Sequence, residues 1–189
     1  AGVVRLARRV LFGTLLIEGT GALLLSLRFC PMLGLERGVW YGVFHAVSAF
    51  CNAGFDLMGA AGVEFASLTA YSGDPIICLT VPFLIIVGGL GFFVWDDLKE
   101  HKFHFSKYAL HTKLVLVTTA ALIVVPTILF IIAENELPWQ ERIFSSFFTA
   151  VSPRTAGFNV LPLSGEGSVK EVVIFVTICL MCVGGSSGS

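Results

Sequence analysis

Four apolar runs along the chain are long enough to read as bilayer crossings: Val10–Leu27, Pro75–Trp95, Leu110–Ala133 and Val169 to near the C-terminus. A hydrocarbon core of roughly 30 Å needs about 20 helical residues to cross it. Two further apolar runs, Val39–Phe50 and Ile143–Val151, are too short to cross. Each is followed by an Ala-Gly-Phe phrase, so each reads as a re-entrant half-helix that stops inside the membrane. The pattern predicts an all-α membrane protein of two repeats, each ordered outer helix, re-entrant helix, Gly loop and inner helix. The first repeat covers residues 1–98, with helices at about 10–27, 39–50 and 75–95 and a loop at 51–55. Residues 99–109 form a link. The second repeat covers 110–189, with helices at about 110–133, 140–152 and 169–189, a loop at 154–158 and a break near 184–189.

The duplication is written into the loops. "FHAVSAFCNAGFD" (Phe44–Asp56) returns as "FTAVSPRTAGFN" (Phe148–Asn159) with one residue fewer, and Val87-Gly88-Gly89 returns as Val183-Gly184-Gly185. Agreement at two separate places marks an internal repeat.

Composition fits this picture. Mean hydropathy is +0.87, and only 13% of residues are charged, about half the share of a soluble chain. The net charge of −1 provides no basic stripe for nucleic acid. The five cysteines follow no framework spacing, and Cys179-x-x-Cys182 lacks a second pair, so small buried packing residues are expected. Arg5, Arg8 and Arg9 precede the first run, and Lys99, Lys102, Lys107 and Lys113 surround the link. Lys and Arg mark the cytoplasmic side, so the repeats are expected to be parallel, with both Gly loops opening outward beneath a mildly acidic mouth. The start without Met and the stop in "VGGSSGS" raise the expectation of a piece of a longer protein.

Chemistry follows from the dead-ended helices. Non-helical backbone at membrane depth is tolerated only within protein or along a water-filled cavity. A helix that stops there points unpaired carbonyls and the negative end of its dipole inward, a setting suited to a desolvated cation. Cys51-Asn52-Ala53-Gly54 and Arg154-Thr155-Ala156-Gly157 can then aim successive carbonyls at one axis, because Gly tolerates the dihedrals this requires. A ring of such oxygens replaces an ion's hydration shell. Phe55 and Phe158 are expected to wedge the turns against neighbouring helices, and a turn-only role for Gly54 and Gly157 is the competing reading.

The order span, half-helix, Gly loop, span, with "SAFCNAGFD" and "SPRTAGFN" in its two copies, resembles the Trk/Ktr/HKT superfamily of cation transporters, most of all its KtrB/TrkH-type membrane subunit. In that family one chain carries four such repeats around one pore, and this chain resembles the second and third. The resemblance implies K⁺ passage, with or without Na⁺ dependence, through a filter of the backbone carbonyls of Asn52, Ala53, Gly54, Thr155, Ala156 and Gly157, flanked by Cys51 and Arg154. It also implies an intramembrane gate at Gly184, Gly185, Ser186, Ser187 and Gly188, no cofactor and no enzymatic role. Implied partners are the bilayer, the missing repeats of the same chain, a second copy in a homodimer, and a cytosolic nucleotide-binding regulatory subunit docking near Trp95–Tyr108. Cys51 departs from the family pattern, where a polar residue is expected.

Other residues carry weaker expectations. Glu18, inside the first span, costs about 2.5–3.5 kcal/mol if unpaired at the bilayer centre, so it is expected to face protein or snorkel. Arg154 is expected in the outer vestibule, anchored by a carboxylate, and His45 to be buried and hydrogen-bonded. Gly88-Gly89-Leu90-Gly91 reads as a packing or bend site. Two rival functions remain open: a rhomboid-like intramembrane serine protease using Ser187 of Gly-x-Ser-Gly, and an inverted-repeat secondary transporter.

Overall fold

A computed structural model describes residues 2–61, 66–102, 104–162 and 169–185. Its helices are α1 (Gly2–Leu33), α2 (Leu35–Phe50), α3 (Pro75–Gly89), α4 (Phe92–His101), α5 (Leu110–Ala133), α6 (Trp139–Val151) and α7 (Glu171–Gly185). The described residues contain no strand. Each half runs through a long helix, a shorter one, a loop and an inner helix, and the protein is an all-α, multi-pass membrane protein. Ala7–Leu33 and Leu110–Ala133 are both long and apolar enough to cross a membrane, and a bent pair, α3 with α4, adds a third crossing if it counts as one span.

α1 runs past Leu27 because Arg28, the charge that ends the apolar run, is neutralised where it stands. Its Nε donates to Asp74 Oδ2, and Asp74 also caps α3, Oδ1 accepting from the N–H groups of Ile76 and Ile77 at 3.0 and 3.2 Å. Gly34, at φ +83°, ends α1 and turns the chain straight into α2. The hairpin closes tightly: a methyl on Gly42 would lie 2.1 Å from Ser26 Oγ, and one on Gly38 2.4 Å from Cys30 Cα. Small residues on one face let two membrane helices approach in this way. In the second half Glu134, at the end of α5, is buried and accepts the Lys170 N–H at 2.9 Å, tying α5 to the start of α7.

The inner helix expected over 75–95 is two helices. α3 stops at Gly89, Gly91 sits at φ +82°, and α4 leaves at 93°. Three glycines in four residues make a poor helix. Trp95 folds back to compensate, its Nε1 donating to the Val87 carbonyl at 3.0 Å, one of the acceptors orphaned by the helix end. Asp97 secures the link beyond. It accepts from the Ala109 N–H at 2.9 Å and pairs with His101 Nδ1 at 2.8 Å. The Thr112 hydroxyl is the main reason its carboxyl titrates below the ordinary aspartate value; desolvation opposes the shift, and Ala109 and His101 add to it.

Candidate functional site

Near the end of each half-helix a serine organises the loop after it. The Ser48 carbonyl accepts the Ala53 N–H at 2.9 Å, and its hydroxyl donates to the Phe55 carbonyl at 2.8 Å. The Ser152 carbonyl collects the N–H groups of Thr155, Ala156 and Gly157 at 3.4, 3.0 and 2.9 Å. In a trans peptide the N–H and C=O point in opposite directions. Amides gathered onto the helix end therefore turn their carbonyls away from it. Asn52, Gly54 and Gly157 take positive φ values of 53°, 70° and 94° to make this possible. Among the described residues, the carbonyl oxygens of Cys51, Asn52, Ala53, Gly54, Thr155, Ala156 and Gly157 accept no hydrogen bond.

The two loops meet. Thr155 Oγ1 donates to Asn52 Oδ1 at 2.7 Å. The Ala156 carbonyl rests on the bare Cα of Gly54, where a methyl would stand only 1.8 Å from its oxygen. Among the described residues nothing lies within 4 Å of the corresponding methyl position on Gly157.

The inner helices press on the ends of the half-helices at matching places. A methyl on Gly88 would stand 1.9 Å from the Phe50 oxygen, and one on Gly184 1.5 Å from the Arg154 oxygen. Phe50 and Arg154 are equivalent positions, two residues after the paired serines. Sequence reasoning found these Gly-Gly phrases as repeats but could not see what they touch.

On the other side of the loops His45 is fully buried, its Nδ1–H donating to the Tyr41 carbonyl at 2.7 Å. That leaves Nε2 to accept the Leu57 N–H at 3.4 Å, while the Tyr41 hydroxyl holds the Leu57 carbonyl at 3.1 Å. In the second copy Asn159 does the matching work, its N–H and carbonyl bonded to Ser67 Oγ and the Leu68 N–H at 3.1 and 2.8 Å. Phe158 is buried, its ring 6.3 Å from that of His45, whereas Phe55 is 70% exposed.

Arg154, the cysteines and Glu18 complete the residues singled out in the sequence. Arg154 lies just beyond the end of α6. The 3₁₀ turn Ser152–Arg154 carries it onward from the end of α6, next to Gly184, into a cavity of about 310 Å³ shared with Gly89, Thr118, Thr119 and Thr155. Among the described residues no carboxylate pairs with it, and its Nη1 is buried without a hydrogen bond. Of the cysteines only Cys78 is buried; Cys51, Cys179 and Cys182 are exposed, because an apolar stretch looks the same in sequence whether it faces a core or lipid. Glu18 is half-buried on α1 and makes no hydrogen bond among the described residues. Gly184 and Gly185 close α7, while Ser186, Ser187 and Gly188 lie outside the described residues.

Comparison with known proteins gives a consistent result. The TrkH family profile, described as "Cation transport protein", matches residues 6–113 and 99–189. The chain is 40% identical to the potassium/sodium uptake protein NtpJ of Enterococcus hirae, with 100% of this chain and 41% of that protein aligned. It is 37% identical to the Ktr system potassium uptake protein B of Bacillus subtilis (100% and 42% aligned) and 34% identical to that of Vibrio alginolyticus (98% and 40%). The chain thus spans about two-fifths of the length of these relatives.

Proposed function

The chain belongs to the TrkH family of cation transport proteins, and from that premise we propose that it supplies two of the filter strands of a potassium-uptake subunit. A K⁺ ion arriving from outside sheds water and is received by the carbonyls of Asn52, Ala53 and Gly54 from one repeat and Thr155, Ala156 and Gly157 from the other. The observation that carries this reading is the pair of abutting loops in which the N–H groups of residues 51–53 and 155–157 bond to the half-helix ends, while the loop carbonyls accept no hydrogen bond among the described residues. The C-terminal ends of α2 and α6 add their negative dipole ends behind the same loops. No covalent step is involved.

The remaining oxygens come from further repeats of the same protein. The excess of Lys and Arg before α1 and around the link orients the subunit with the N-terminus and residues 99–109 in the cytoplasm and the filters opening outward. Residues 184–188 form the gate on the inner side of the filter. Two such subunits pair in the membrane, and a cytosolic nucleotide-binding subunit docks on the link. That these relatives are named as parts of a "Ktr system" supports an assembly of more than one component.

The test is uptake by the whole subunit in cells that lack their own potassium uptake. Expression should restore growth at low external K⁺, and Gly54→Ser or Gly157→Ser should weaken discrimination against Na⁺. Selectivity unchanged in both variants would overturn the filter assignment.

A further inference from the structure

Asn52 and Thr155 occupy the same position in the two copies, two residues before the loop glycine. Their side chains meet across the seam, Thr155 Oγ1 donating to Asn52 Oδ1 at 2.7 Å. The other end of the Asn52 amide is also engaged, Nδ2 donating to the Phe50 carbonyl at 3.3 Å. One side chain therefore joins the end of its own half-helix to the loop of the next repeat. Its backbone, at φ +53°, lies in the left-handed region, where Asn is among the few non-Gly residues at ease. The amide also lies against bare inner-helix backbone: methyls on Gly88 and Gly89 would stand 3.2 and 3.7 Å from Nδ2. Directly after this pair comes the contact between the Ala156 carbonyl and Gly54.

We propose that Asn52 and Thr155 form a side-chain latch that sets the spacing between neighbouring filter strands and thereby the discrimination between K⁺ and the smaller Na⁺. The inference rests on the carbonyl-filter reading above. Where cavity size sets selectivity, a ring of carbonyls favours the larger ion by resisting closure onto the smaller one. Unlinked strands are free to move inward separately. The latch ties each to the other, and through Phe50 to a helix end, so that inward movement of one strand must break a hydrogen bond or displace α2. Both side chains are positioning groups, acting through the backbone oxygens of the strands that carry them.

The experiment compares K⁺ and Na⁺ uptake by the whole subunit in proteoliposomes. T155V keeps the shape of the side chain and removes the donor; T155S keeps the hydroxyl. N52G removes the amide and retains the left-handed backbone. T155V and N52G should each lower the K⁺/Na⁺ uptake ratio by about fivefold to tenfold, the worth of one hydrogen bond. T155S should keep the wild-type ratio, and the double variant N52G/T155V should fall no further than either single one. A wild-type ratio in T155V, or single effects that multiply in the double variant, would overturn the latch. A wild-type subunit that takes up no K⁺ would instead overturn the filter reading beneath it.

Discussion

Replacing Gly88 by Ala tests whether α3 and the end of α2 touch as closely as described. The added methyl would stand 1.9 Å from the Phe50 oxygen. Carbon and oxygen settle at about 3.3 Å in close backbone contacts, so the two elements would have to separate by about 1.4 Å. Both atoms of the contact sit on helical backbone, and neither can rotate away. Overpacking of this kind costs about 1–3 kcal/mol and more where backbone must shift, against about 1 kcal/mol gained in helix propensity. The clash outweighs the propensity. Gly184→Ala should behave alike, since its methyl would meet the Arg154 oxygen at 1.5 Å. Gly19→Ala is the control: nothing lies within 4 Å of its methyl position, so only the propensity gain remains. Thermal unfolding of the detergent-solubilised subunit, followed by loss of the monodisperse chromatographic peak, should rank Gly19→Ala at or above wild type and the other two clearly below. Equal melting of all three would refute the contact and the role given to the Gly-Gly phrases.

Four other outcomes are expected. Gly54→Ala should impair K⁺/Na⁺ discrimination of the whole subunit, because a methyl at Gly54 both strains φ +70° and strikes the Ala156 oxygen, and Gly157→Ala, at φ +94°, should impair it as much, with a following repeat bringing a carbonyl to its face; ion uptake measures both, and a near-neutral Gly157→Ala would mean that no such carbonyl arrives. Asp74→Ala removes the α3 cap and leaves Arg28 unpaired, and should lower stability by about 1–3 kcal/mol in a thermal melt. The carboxyl of Asp97 is depressed in the folded link, so its contribution is complete above the unfolded value of about 3.9 and is lost as pH falls through the lower folded one; proteolysis at Lys102 and Lys107 should stay flat from neutral pH to about 5, rise only in stronger acid, and be raised at neutral pH by Asp97→Asn. Phe55→Ala should cost about as much as Phe158→Ala in the whole subunit, about 3–5 kcal/mol, although Phe55 is 70% exposed in this chain; a neutral Phe55→Ala in a thermal melt would mean that no neighbouring helix covers it.

The features legible in the sequence are those written in adjacent letters. Spans, half-helices and the Ala-Gly-Phe loops come from hydropathy and repetition, and the fold class follows from them. Hydropathy is silent about geometry inside an apolar run, so Pro75–Trp95 reads as one span although Gly91 at φ +82° breaks it. It also stops at charges, so α1 reads as ending before Arg28, whose partner Asp74 is 46 residues away. The contacts of Gly88 and Gly184 with half-helix ends join residues far apart in the chain; their recurrence showed that they matter, but only the fold shows why a side chain has no room there.

The asymmetry between the two copies is the remaining step. Gly54 receives the Ala156 carbonyl, while the equivalent face of Gly157 is open; Phe158 lies buried against His45 of the preceding half-helix, while Phe55 lies exposed. These are two ends of one arrangement. At the seam between the repeats, the later loop gives a carbonyl to the earlier glycine and a ring to the earlier half-helix. On the carbonyl-filter proposal, the open face of Gly157 would receive a carbonyl from a following repeat, and exposed Phe55 would pack on a half-helix from a preceding one. Both vacancies have the shape of a contact already made once within the chain. The same geometry applied on both sides closes carbonyls around an axis, and the filter reading needs that closure because two strands surround only part of an ion.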